Sequence, residues 1–235
     1  MKHVIISSSL PRLCRDKLCE LGFEPIVMPP YKRLQRGVAA HPDMLLFLLG
    51  DVCLTTKEYF EVARESFDKI EALGYTLRLS DEIPSAEYPN DVLFNSVLIG
   101  NNLYGYEKGM SKALIELARE RGINTLNVRQ GYTKCSTLKV SENAVITADS
   151  GIAEAMSACG IDVLSVSAGS IRIDGYDTGF IGGCAGQTKD AVYFCGDVFS
   201  HPDGKAINEF CKKHKKECVS LENNTLFDAG SLFFL

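Results

Sequence analysis

Lys57-Glu58-Tyr59-Phe60-Glu61-Val62-Ala63-Arg64-Glu65-Ser66-Phe67-Asp68-Lys69-Ile70-Glu71-Ala72-Leu73-Gly74-Tyr75-Thr76-Leu77-Arg78-Leu79 holds the pattern that decides the fold. Phe60, Ala63, Phe67 and Ile70 recur at spacings of 3, 4 and 3, which puts them on one helical face. Gly74 stands where a helix C-terminus takes a left-handed residue, so Lys57–Leu73 reads as helix and Tyr75–Leu79 as strand. The same order recurs in Leu13–Leu21, Gly22 and Phe23–Met28; in Met110–Arg121, Gly122 and Ile123–Val128; and in Ser150–Cys159, Gly160 and Ile161–Val166. A fifth copy, His201–Lys216 then Cys218–Leu221, lacks the glycine. Ile207, Phe210 and Cys211 mark its apolar face, and Pro202 suits a first turn, where a missing N–H costs nothing.

Two strand-like runs precede each later helix. They are Met44–Leu49 with Val52–Leu54, Val92–Val97 with Leu98–Tyr104, Ser136–Val140 with Ala144–Thr147, and Phe180–Cys184 with Ala191–Cys195. Ser141-Glu142-Asn143 joins the third pair, and a loop containing Gly186 joins the fourth. The unit is therefore ββαβ, repeated roughly every 45 residues. Successive capping glycines lie 52, 48 and 38 residues apart, so architecture repeats more than sequence does.

The first helix has one strand before it, Val4–Ser7, and the chain ends in an unaccompanied strand, Leu226–Leu235. These leftovers complement each other. Pairing Ser231–Leu235 with Val4–Ser7 completes a fifth unit and removes an apolar edge that would invite aggregation. The expectation is a single α/β domain over 1–235, with units near 226–235 plus 1–28, 42–81, 90–129, 134–168 and 170–221.

Hydrophobic content of 46% and charged content of 23% are those of a globular chain. A net charge of −5 argues against a nucleic-acid partner. The main basic cluster, Lys212, Lys213, Lys215 and Lys216, sits at a helix end, where cations suit the macrodipole. Nine cysteines without a Cys-x-x-Cys pair indicate neither a disulfide scaffold nor a closed zinc site, and the expectation is no metal and no cofactor. No signal-peptide pattern and no apolar run of about 20 residues is present, so a cytoplasmic protein with no membrane partner is expected.

Four short motifs carry a family resemblance: His41-Pro42-Asp43, Gly131-Tyr132-Thr133-Lys134-Cys135-Ser136, Gly179-Phe180-Ile181-Gly182-Gly183 and Asp228-Ala229-Gly230-Ser231. Over essentially its whole length the chain resembles an uncharacterised branch of the pentein, or guanidine-modifying-enzyme, fold. Arginine deiminase, dimethylarginine hydrolase, the amidinotransferases and the non-enzymatic translation initiation factor 6 share that fold. The resemblance implies a pentein-like five-bladed α-β propeller. It also implies a hydrolase or amidinotransferase acting through a Cys nucleophile on a guanidine- or amidine-like small molecule. The enzymatic members carry their nucleophile in a Gly-rich segment near the C-terminus, whereas Asn223–Ser231 contains no Cys.

In a ring, the starts of the inner strands converge on the axis. Laid over one another, those starts are Asp43, Asp91, Cys135, Asp177 or Gly179, and Asp228. Several carboxylates at one mouth would attract a cation, and paired carboxylates match a planar guanidinium. Each Asp equally suits a turn before a strand. Cys135 is the expected nucleophile, its thiolate favoured by Lys134 or a nearby imidazolium. Cys184, among small residues, is the second choice. His41, held extended by Pro42, and His201 are candidate bases. Asn95 is a candidate amide reader, and a small cationic or amide-bearing molecule is the expected ligand. A non-catalytic binding or interaction module is the competing reading. Ser7-Ser8-Ser9-Leu10-Pro11-Arg12 superficially resembles the N-terminal signature of Maf-like nucleotide pyrophosphatases, but without a Gly-rich loop these hydroxyls read as helix caps.

Overall fold

A computed structural model describes residues 2–235 and arranges them as five three-stranded sheets. The first contains β1 (Lys2–Ser7), α1 (Arg12–Glu20) and β2 (Phe23–Met28). The second contains α2 (Pro42–Leu45), β3 (Leu46–Leu49), β4 (Val52–Thr56), α3 (Lys57–Val62), α4 (Arg64–Ala72) and β5 (Thr76–Ser80). The third contains β6 (Val97–Ile99), β7 (Asn102–Gly105), α5 (Lys112–Glu120) and β8 (Asn124–Asn127). The fourth contains α6 (Thr133–Ser136), β9 (Thr137–Ser141), β10 (Ala144–Thr147), α7 (Ser150–Ala158) and β11 (Asp162–Ser165). The fifth contains β12 (Ala185–Gln187), β13 (Ala191–Phe194), α8 (Gly204–Lys213) and β14 (Glu217–Ser220), and β15 (Phe233–Phe234) ends the chain.

In each complete unit the first strand pairs antiparallel with the second, and a helical crossover returns the third parallel to the second. The first sheet obtains its missing strand from the other end of the chain. β15 pairs antiparallel with β1, Val4 opposite Phe234 and Ile5 opposite Phe233. Phe233, Leu48, Val97, Leu138 and Gly186, one from each sheet, line a common cavity of about 250 Å3, so the inner strands surround an axis. The fold is the expected pentein-like α-β propeller.

Gly22, Gly74, Gly122 and Gly160 all have positive φ after their helices, as a left-handed C-cap requires. Where the fifth unit lacks a glycine, Lys215 takes the same conformation at φ 59°. Other boundaries differ from expectation. The helix over 57–73 is interrupted at Ala63, with φ −114° and ψ 25°, although Phe67 and Ile70 keep their buried face. The run from Met44 starts as a helical turn and becomes a strand only at Leu46. Val92–Ser96 lies outside the strand because it turns under the site, and Gly100 at φ 56° sharpens the hairpin that follows. Phe180–Cys184 is a turn, and Gly186 lies inside β12 instead of a loop. A Cβ on Gly182 would stand 2.4 Å from two backbone oxygens, so this segment packs too closely for a pleated strand. Pro202 precedes α8 by two residues, and none of the three serines caps α1.

The terminal pairing is local yet structurally consequential. Phe234 packs edge-on against Phe23 and tilted against Tyr193, with ring centroids 4.8 Å apart in both cases, and the Leu235 N–H donates to the His3 carbonyl. Deleting Phe233–Leu235 removes these contacts and exposes the β1 edge. The expected cost is on the order of 1.5 kcal/mol for each partly buried Phe, read as a lower urea midpoint and a reduced soluble yield; an unchanged midpoint would contradict closure.

Candidate functional site

The residues just ahead of the inner strands meet at one end of the axis. His41 caps α2 in an extended conformation, Pro42 occupies the first helical position, and Asp43 follows on the same turn. The fourth unit repeats the device: α6 precedes β9 and carries Lys134 and Cys135. Asn95 comes from the turn before β6, and Asp228 and Ser231 from the segment before β15. Different units thus supply the site, and none holds it alone.

One ligand-type atom from each of His41, Asp43 and Cys135 lies within 4.8 Å of the other two. Cys135 Sγ is 3.2 Å from Asp43 Oδ2, and Asn95 Nδ2 donates to the same sulfur at 3.0 Å. Asn95 Oδ1 accepts the backbone N–H groups of Lys134 and Cys135 at 2.8 and 3.1 Å, which fixes the turn holding the thiol. Ser231 Oγ lies 2.7 Å from Asp43 Oδ2 and 2.9 Å from the Gly182 carbonyl, and accepts from Lys134 Nζ at 2.8 Å. A hydrogen-bonded chain therefore runs Lys134, Ser231, Asp43, Cys135.

Asp228 Oδ1 sits 3.8 Å from His41 Nδ1, too far for a hydrogen bond. Its oxygens accept from the backbone N–H groups of Phe180 and Gly230 at 2.9 and 3.0 Å. Two glycines permit this packing. A Cβ on Gly183 would stand 2.1 Å from the Asp228 carboxylate, and one on Gly230, at φ 73°, would stand 2.2 Å from His41 Cβ.

Burial governs the charges. His41, Asp43, Asp228 and Cys135 are each at most 2% exposed. Desolvation, reinforced by Asp43 and Asp228, pushes the Cys135 thiol well above its ordinary range. Burial also raises Asp43, against the pull of His41 and Lys134, and raises Asp228 to about 6. It lowers His41 and Lys134. The expected thiolate stabilisation is thus absent here: the nearest charged partner of Sγ is a carboxylate, while Lys134 points to Ser231.

Asp91 lies beside this group. Its Oδ2 accepts from the Tyr132 hydroxyl at 2.5 Å, and burial raises its pKa. Tyr132 stacks on Phe180 with centroids 6.0 Å apart, and Tyr88 packs against it, tilted, at the same centroid distance. Asp177 is exposed on the loop before Gly179 and does not join the cluster, so that aligned strand start is a turn residue. His201 is also elsewhere. Its Nε2 faces the Ser167 carbonyl at 3.2 Å and its Nδ1 accepts the Asp203 N–H at 3.0 Å, a role at a helix entrance. Cys184 is buried, with Sγ on the Ile181 carbonyl. Lys134, expected beside the thiol, bonds to Ser231, and Ser231 joins the site as a hydrogen-bonding member that side-chain type alone did not mark.

A clasp of side-chain hydrogen bonds joins three segments outside the strands. The Tyr176 hydroxyl donates to Gln35 Oε1 at 2.8 Å, and Gln35 Nε2 donates to the Ala86 carbonyl at 3.0 Å. These bonds tie together the segments following β2, β5 and β11. Gly37 seats the clasp, since a Cβ there would stand 2.1 Å from the Asp174 carbonyl.

Solved structures with the same architecture share little sequence with the chain. A dimethylarginine dimethylaminohydrolase, solved as an adduct with 4-chloro-2-hydroxymethylpyridine, superposes with a TM-score of 0.62 at 8% identity, covering 100% of this chain and 99% of its own. The Pseudomonas aeruginosa counterpart, complexed with citrulline, gives 0.57 at 10% identity, covering 94% and 92%. The C. jejuni agmatine deiminase gives 0.57 at 9% identity, covering 94% and 87%. These likenesses establish the pentein fold. Among the described residues no helix is long and apolar enough to cross a membrane. No curated protein sequence matches the chain. Residues 5–233 match the sequence profile of a family of unknown function, DUF6873, and the chain belongs to that family.

Proposed function

We propose that this chain acts on a C–N bond of a small guanidine or amidine compound, with Cys135 as nucleophile, as a hydrolase or amidinotransferase. The observation that carries the reading is Cys135 Sγ at 3.2 Å from Asp43 Oδ2 in a cluster with His41. The dimethylarginine dimethylaminohydrolase and agmatine deiminase that share the fold support the same class.

Buried acidic groups with raised pKa values favour a cationic ligand. A planar amidinium beside Asp43 and Asp228 supplies the positive charge their desolvation calls for, and lowers the thiol pKa by the same Coulombic effect. The thiol proton passes through Asp43 to His41. The sulfur lone pair forms a C–S bond to the amidine carbon, and the C–N bond breaks as His41 returns that proton to the departing amine. Water, deprotonated by His41, then attacks the carbon and releases the thiol; a second amine in place of water gives amidino transfer. Ionisation of Cys135 thus waits for substrate. Asn95 is a positioning residue in this scheme, since it holds the thiol's turn. The aromatic group of Tyr132, Phe180 and Tyr88, with Asp91 beneath, forms the approach.

A non-catalytic binding role is the second reading, favoured by the depth and raised pKa of the thiol in the ligand-free chain. Turnover separates the two. A panel of guanidino and amidino compounds should yield ammonia or amine release that Cys135→Ala abolishes and that Asp43→Asn lowers by about 100-fold or more. Turnover surviving Cys135→Ala would overturn the assignment.

The clasp makes a separate prediction. Gln35→Ala, which removes the bonds joining three segments, should accelerate iodoacetamide labelling of Cys135 by about tenfold without changing the fold. In the free protein the labelling rate should still climb above pH 9, because the folded thiol pKa is raised. A bound amidinium should move that midpoint downward. A labelling midpoint below 8 in the free protein would contradict the electrostatic account.

A further inference from the structure

His41 Nδ1 and Asp43 Oδ1 have no hydrogen-bond partner although both side chains are almost wholly buried. An orphaned buried polar atom carries a desolvation penalty of about 1–3 kcal/mol, and two beside one thiol indicate a missing occupant. The donor set around the gap is one imidazole, one carboxylate and one sulfur.

We infer that His41, Asp43 and Cys135 form a three-ligand site for a divalent metal of the zinc type, with the fourth position open. Mixed N, O and S donors suit zinc, and three protein ligands with a vacant position are the arrangement of a reactive site. Zinc with bonds of about 2.0–2.3 Å in a tetrahedron places its donor atoms about 3.5 Å apart. Cys135 Sγ and Asp43 Oδ2 are already 3.2 Å apart. With no donor pair beyond 4.8 Å, the imidazole has at most about 1.3 Å to move.

Charge supports the same occupant. Binding displaces the proton of the thiol, and one divalent cation then neutralises the Cys135 thiolate and the Asp43 carboxylate. An outer contact is in place too. Asn95 Nδ2 donates to the sulfur and so would hold it as a ligand. Unlike a Cys-x-x-Cys site, this one draws its ligands from two units, so no local spacing announces it.

Metal and amidine substrate are alternative occupants, because both would take the space between the Asp43 carboxylate and the Cys135 sulfur. The inference therefore stands apart from the proposed activity: metal-free protein tests turnover, and metal binding is read without turnover. Purified full-length protein stripped with a chelator should bind one zinc per chain by elemental analysis and dialysis. Bound zinc should raise the melting temperature and slow iodoacetamide labelling of Cys135 by at least about tenfold. Cobalt(II) in its place should show thiolate-to-metal charge-transfer absorption, lost in Cys135→Ser and weakened in His41→Gln, with folding checked by circular dichroism. A cobalt spectrum without thiolate absorption, or zinc uptake unchanged in both variants, would overturn the assignment. Absence of uptake at micromolar zinc would overturn it as well.

Discussion

The hydroxyl of Ser231 joins chain closure to the buried cluster around Cys135. It lies within hydrogen-bond distance of the Asp43 carboxylate, contributed 188 positions earlier, and accepts from Lys134. Two residues later the chain pairs with β1. Ser231 adopts φ 71°, a conformation that costs a non-glycine residue on the order of 1–2 kcal/mol. Such strain persists where surrounding contacts over-determine it, and it concentrates at functional sites. Here the surrounding contacts are backbone bonds from Ser231 and Ala229 to the Gly183 carbonyl and the side-chain network to Asp43. Loosening the C-terminal strand would release Ser231, unlink Asp43 from Lys134, and leave a buried carboxylate facing a buried thiol without compensation.

Buried polar groups at this density make the site poor as a stabilising core. Asp43, Asp228, Lys134 and His41 all have pKa values displaced against their charged forms, mainly by desolvation. A hydrophobic filling would serve folding better. A set of groups held out of their preferred ionisation states and arranged around a thiol instead suits a ligand that restores those states. Gly183 and Gly230 show the same priority, since both give up side chains so that Asp228 and His41 can approach.

Much of this was legible from residues alone. The helix, glycine, strand punctuation located four crossovers, because a left-handed cap favours glycine, and the helix-then-strand order alone located the fifth, where Lys215 takes that conformation. Leu-Phe-Phe-Leu at the end identified closure through its apolar exposure problem. Aligning the strand starts brought Asp43, Cys135 and Asp228 together. The same alignment failed for Asp177, since the insertion after β11 carries it outward, and His201 was misread because a histidine beside Pro-Asp looks alike at a helix entrance and at a site. Strand limits near Val92 and Phe180 were missed for one reason. Both segments are apolar because they are buried beneath the mouth, and burial without pleating leaves the same composition as a strand. The orphaned atoms of His41 and Asp43 have no signature in one dimension at all.

The central claim is that Cys135 is a thiol addressed by cationic, planar ligands through the carboxylates around it. Comparing alkylation by a chloroacetamidine, which carries an amidinium, with alkylation by neutral iodoacetamide on the same protein tests it most directly. Peptide mapping should find Cys135 modified by the amidine at least about tenfold faster than by iodoacetamide, relative to the exposed Cys19 and Cys159. Asp43→Asn should erase that preference. Equal relative rates for the two reagents at Cys135, or modification confined to the exposed cysteines, would contradict the account.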